Sequence, residues 1–130
     1  MAVVGSTRRT VLAAITATLF VGALAPTPNV AAQTAAPTEF ARCTVCHSTK
    51  KGGPEKLGPS LVGIYGAPAG GGKYPYSPAL KASKIRWNDA ALDAWLARPS
   101  KMVPGNKMAF PGMSDPAKRK AIILYMRTLK

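Results

Sequence analysis

The chain has 130 residues, 18 basic and 5 acidic side chains, a net charge of +13, one histidine and two cysteines. That length allows one domain. With a single histidine and only Cys43 and Cys46, a zinc site of the usual four Cys/His ligands cannot form, nor can a disulfide framework tie distant segments together.

Residues 1–32 read as a signal peptide. Arg8 and Arg9 form a positive start, Val11 to Ala25 an apolar run, and Val30-Ala31-Ala32 a small-residue cleavage pattern. The apolar run is shorter than the roughly 20 residues that a membrane-spanning helix needs, which argues against a retained anchor. Cleavage leaves Gln33 first, a loose stretch over 33–37, and one domain over 38–130. Removal of Arg8 and Arg9 lowers the charge to +11. Nucleic acid is a poor match for an exported basic protein, and an acidic protein partner met by electrostatic steering is the better one.

Thr38 is read as the cap of a short helix running through Glu39, Phe40 and Arg42 into the cysteines. Residues 51–75 hold most of the glycines and several prolines, a composition for loops. No segment alternates with period two, so no substantial strand is expected. Ser77 and Pro78 open a helix to Lys81. Asn88 caps another that runs to Ala97, with Leu92, Trp95 and Leu96 on one stripe and Pro99 as its stop. Ser114-Asp115-Pro116 opens the last, in which Ile122, Ile123, Tyr125, Met126 and Leu129 keep helical spacing to the end. Long loops are unusual in so small an all-α domain, unless a large flat ligand supplies part of its core.

Cys43-Thr44-Val45-Cys46-His47 supplies the means of holding one. The pattern C-x-x-C-H is a c-type haem attachment site: two thiols on one helical turn reach the two vinyl groups, and the next residue offers an imidazole to the iron. A thioredoxin-like dithiol would need a preceding strand, and none is expected. As His47 is the only histidine, a second ligand from this chain must be another residue type. Methionine is the usual soft partner, and Met102, Met108, Met113 and Met126 are the candidates in the domain.

From about Phe40 onward the chain resembles the class I cytochromes c, the family of mitochondrial cytochrome c and its bacterial relatives. The motif near the N-terminus is followed by Leu57-Gly58-Pro59-Ser60-Leu61, Tyr76-Ser77-Pro78-Ala79-Leu80, Trp87 and Pro104-Gly105-Asn106-Lys107-Met108, then by a terminal helix containing Tyr125. The resemblance implies the small all-α cytochrome c fold, with helices and long loops around one covalent haem c. It implies attachment at Cys43 and Cys46, and His47 and Met108 as the iron ligands. Pro59 then accepts the Nδ1–H of His47, while Tyr76 and Trp87, with help from Tyr74, donate toward a haem propionate.

It further implies a soluble, monomeric, periplasmic electron carrier and not an enzyme, without a stable membrane anchor. Lysines such as Lys50, Lys56, Lys101 and Lys107 would meet acidic redox partners. Departures from the family pattern are Asn106 in place of threonine, Val62 where histidine is common, and Ala67 after Gly66 where arginine is frequent. The helix before the cysteines is short and Phe40 lies one residue nearer to them, so altered packing on the last helix is expected.

Overall fold

A computed structural model describes residues 35–130; the signal peptide expected over 1–32 and the first two residues of the loose stretch lie outside the described residues. The order is a 3-10 helix, Thr38–Phe40, followed by α1 Ala41–Cys46, α2 Pro78–Ala82, α3 Asp89–Ala97, α4 Pro99–Met102 and α5 Pro116–Met126. There is no strand among the described residues, only an isolated bridge between Pro68 and Arg86. None of their helices is long and apolar enough to cross a membrane.

Local chemistry sets most of the helix starts. Ser77 Oγ accepts from the Leu80 N–H at 3.1 Å, and Asn88 Oδ1 from the Ala91 N–H at 2.9 Å. Asp115 Oδ1 accepts from Ala117 and Lys118, each a donor that the helix itself leaves unpaired. The first helix departs from expectation. Pro37, extended at φ −65°, precedes it, and Thr38 is its first residue and caps nothing. Pro99 ends α3 as expected, but also begins α4. Its fixed φ and missing N–H suit a first helical position as well as a stop. The terminal helix closes at Met126, earlier than the apolar spacing suggested. Leu129 lies beyond it, where its carbonyl accepts the Gly63 N–H at 2.7 Å and ties the chain end to the glycine-rich loops.

The core sits where α3, α5 and the N-terminal turn meet. Phe40, Leu92 and Ile122 are its most deeply buried apolar residues. The Phe40 ring meets Tyr125 edge-on, centroids 4.7 Å apart and planes at 75°. The short helix and shifted Phe40 therefore still seal against α5, because the 3-10 turn brings the ring inward. A Lys118–Glu39 ion pair of 3.0 Å spans the same contact. Asp93 on α3 takes the Arg119 Nε at 2.7 Å, and Arg119 Nη1 donates to the Met113 and Ser114 carbonyls, both at 2.8 Å. Asp89 at the head of α3 accepts from Tyr65 at 2.8 Å and pairs with Arg127. These two bonds hold its carboxyl below the ordinary range.

Phe40 is 1% exposed, so Phe40→Ala leaves a large void. The substitution is expected to cost about 3–5 kcal/mol in denaturant unfolding of the haem-loaded protein. A loss below about 1 kcal/mol would show that this seam does not hold the fold.

Candidate haem site

The motif forms the last turn of α1 and its exit. Cys43 and Cys46 lie within the helix, and His47 leaves it extended, at φ −117° and ψ 140°. This break turns the imidazole away from the helix axis. Its Nδ1 stands 2.7 Å from the Pro59 carbonyl. A carbonyl only accepts, so Nδ1 carries the proton and Nε2 is left with its lone pair free. Burial pushes the His47 pKa down, the Pro59 bond opposes that, and nearby Lys56 adds to it. The ring is therefore neutral near pH 7, as a metal-ligating imidazole must be. Burial also raises the Cys43 thiol, against a smaller backbone hydrogen-bond effect.

Gly58 makes this placement possible. An added Cβ there would stand 2.5 Å from His47 Cε1 and 2.8 Å from Nδ1. Only glycine lets the 57–59 segment lie flat against the ring, with its own N–H bonded to the Cys46 carbonyl at 2.8 Å. The sequence marks the position only as the glycine before Pro59; the close approach that requires it is a long-range contact.

Cys43, Cys46 and His47 line an apolar cavity of about 280 Å³. Pro59, Tyr76, Trp87 and Met108 line the same cavity, so all seven predicted site residues converge on it. Trp87 and Trp95 form part of its wall as an edge-on pair with centroids 5.3 Å apart. Of the four candidate methionines, Met108, Met113 and Met126 line the cavity and Met102 does not. Met126 belongs to α5, and both Met113 and Met126 are buried core residues. Met108 is half-buried in the loop between α4 and α5.

Tyr74 also faces the cavity, its hydroxyl donating to the Leu57 carbonyl. That bond, like the Arg119–Asp93 pair, joins residues far apart in sequence and left no local signal. A second hollow of about 470 Å³ shares Gly58, Pro59, Ile64, Tyr74 and Tyr76 with the first. It lacks both cysteines and the histidine, so the chemistry belongs to the apolar cavity that holds them.

The residues fit a flat, largely apolar group held along one edge. Both thiols are free, the walls are mainly hydrophobic, and one imidazole nitrogen is available. Among the described residues no cluster of three or more His, Cys, Asp or Glu side chains converges to offer another metal site. Fold and site together define a small helical domain completed by a covalently tethered prosthetic group.

Comparison with known proteins agrees. No family model matches. Cytochrome c2 iso-1 of Magnetospirillum molischianum is 44% identical over 99 residues, which cover 74% of this chain and 98% of that protein. A cytochrome c homolog of Rickettsia bellii is 44% identical over 88 residues, 67% of this chain and 51% of its own. The chain thus spans about half the length of that relative. The solved structure of cytochrome cH from Methylobacterium extorquens superimposes with a TM-score of 0.64 at 49% identity, covering 68% of this chain and 90% of that one. The chain belongs to the class I cytochrome c family, and its cofactor is one covalent haem c.

Gly58→Ala pushes a methyl group into the imidazole. The ring Nδ1–H proton resonance of the haem-loaded variant is expected to shift or vanish, and the yield of haem-loaded protein to fall severalfold. An unchanged resonance at full yield would mean that the loop gives way without moving the ring.

Proposed function

We propose that this protein is an exported, soluble carrier of single electrons, working in the periplasm after removal of residues 1–32, with the cytochrome domain over 38–130. The observation that carries this reading is the convergence of Cys43, Cys46, His47 and Met108 on one apolar cavity. Haem c supplies a one-electron iron couple when bound.

Each residue then has a defined task. Cys43 and Cys46 would hold the haem through thioethers, and His47, kept in orientation by the Pro59 carbonyl, would bind its iron. Met108 would supply the second protein ligand, a thioether that favours reduced iron and raises the potential. Tyr76 and Trp87 line the same cavity and would donate toward a propionate of the bound group. Burial raises the Tyr76 hydroxyl pKa, with nearby Tyr74 a lesser cause, so the phenol keeps its proton for such a bond. With His47 and Met108 both engaged in holding the group, the chain would leave its iron no free position for a substrate.

The docking surface is the cysteine edge. Val45 and Leu57 are 72% and 83% exposed, the large apolar side chains left most open to water. They lie close together, since the Gly58 N–H bonds the Cys46 carbonyl and Lys56 reaches the Thr44 carbonyl. Lys56, which reaches the Thr44 carbonyl, borders that patch, and Lys50, Lys101 and Lys107 are exposed as well. Between residues 50 and 88 only Glu55 is acidic, whereas Glu39, Asp89 and Asp93 are engaged by basic residues of α5 and the turn after it. Such a surface attracts acidic redox proteins and releases them readily.

Optical spectra of the purified protein test the reading. The oxidised form is expected to show the weak sulfur-to-iron band, and the reduced form sharp low-spin bands that carbon monoxide leaves unchanged. Met108→Ala should abolish the sulfur band and admit carbon monoxide. Rapid carbon monoxide binding by the unsubstituted protein would mean an open iron, and the carrier reading would give way to a ligand-binding one.

A further inference from the structure

Met108 sits in a loop with little burial to hold it. Pro104, Gly105, Lys107, Ala109 and Pro111 are all exposed, and Met108 and Phe110 are only half-buried. The far end of the loop is secured separately. The Met113 N–H donates to the Leu96 carbonyl at 2.8 Å, and Arg119 grips the Met113 and Ser114 carbonyls. Those anchors lie five or more residues beyond Met108, too far along a flexible segment to fix its backbone.

Asn106 acts at closer range. Its Nδ2–H donates to the Val103 carbonyl at 2.8 Å, and its Oδ1 accepts the Met108 N–H at 2.9 Å. The Met108 carbonyl in turn accepts the Phe110 N–H at 3.0 Å. Both backbone polar groups of Met108 are therefore occupied within the loop. Asn106 is itself half-buried and lines the cavity.

We propose that Asn106 is a positioning residue for Met108. Its amide links the Val103 turn to the Met108 backbone and so presets the thioether toward the cavity. The inference rests on the reading of Met108 as an iron ligand. Asparagine suits the task because donor and acceptor are separate atoms on one planar group, each able to bond a different backbone partner. A threonine hydroxyl at this position must serve both partners through a single oxygen one bond nearer the backbone.

The energetic consequence is a loop biased toward its closed form. Any added ligand for the oxidised iron must first displace Met108, so its apparent affinity scales with the fraction of loop that is open. Two hydrogen bonds of ordinary net strength correspond to a change on the order of tenfold or more in that fraction.

Imidazole titration of the oxidised, haem-loaded protein, followed through the sulfur-to-iron band, reads this directly. Asn106→Ala is expected to bind imidazole about tenfold more tightly than the unsubstituted protein, and Asn106→Thr to fall between the two. Asn88→Ala is the control. It removes the α3 cap and lowers the unfolding midpoint by a comparable general destabilisation, and should leave imidazole affinity within about twofold. Equal affinity of Asn106→Ala and the unsubstituted protein would overturn the proposal. So would an Asn88→Ala variant that gains as much affinity, because the effect would then be global softening. If the unsubstituted protein shows no sulfur-to-iron band, the Met108 reading fails first and takes this inference with it; a band whose displacement Asn106→Ala leaves unaltered removes the inference alone.

Discussion

The core of this domain is not complete as protein. Leu80, Trp87, Leu92, Trp95, Leu96, Met113, Ile122 and Met126 are among its buried residues, yet all line a cavity. Residues that elsewhere pack against one another here face a space reserved for a flat group. A domain of this size has little apolar area to spare, and the loops over 47–77 and 103–115 contribute few buried side chains of their own. A bound haem would therefore complete the core from which the loops hang.

That constraint explains how local details serve the site. The break at His47, the glycine at 58 and the Pro59 carbonyl form one unit that sets the imidazole. The loop between α4 and α5, tied by Asn106 near Met108 and by Arg119 beyond it, brings Met108 to the same cavity. Charge is divided along a similar line. The ion pairs stitch α5 to the N-terminal turn and to α3, and most free lysines lie on the loop side. Cohesion and the unpaired positive charge thus draw on different parts of the surface.

Much of this was legible in the sequence because its signals are local. C-x-x-C-H, the Ser77, Asn88 and Asp115 caps and the apolar spacing of α3 each need only neighbouring residues to be read. Phe40 was visible as a packing residue, but its tight seal against Tyr125 depends on a 3-10 turn that nothing in the Thr38 pattern announces. Helix α4 was hidden because a proline after a helix reads as a stop and also as a start. The bonds Tyr74–Leu57, Asp93–Arg119 and Asp89–Tyr65 bridge 17 to 26 residues, and no periodicity records them. What composition did record was the cost of the loops, and with it the need for a ligand.

The measurement that bears most directly on the incomplete core is the helical circular dichroism of two forms. One is the haem-loaded protein; the other carries Cys43→Ser and Cys46→Ser, so that haem cannot be attached. If the haem completes the core, the variant should lose most of its helical signal and its cooperative unfolding transition under conditions where the haem-loaded form is folded. A variant that keeps both, with an unfolding midpoint close to that of the loaded protein, would contradict the account and show that the protein closes its core alone.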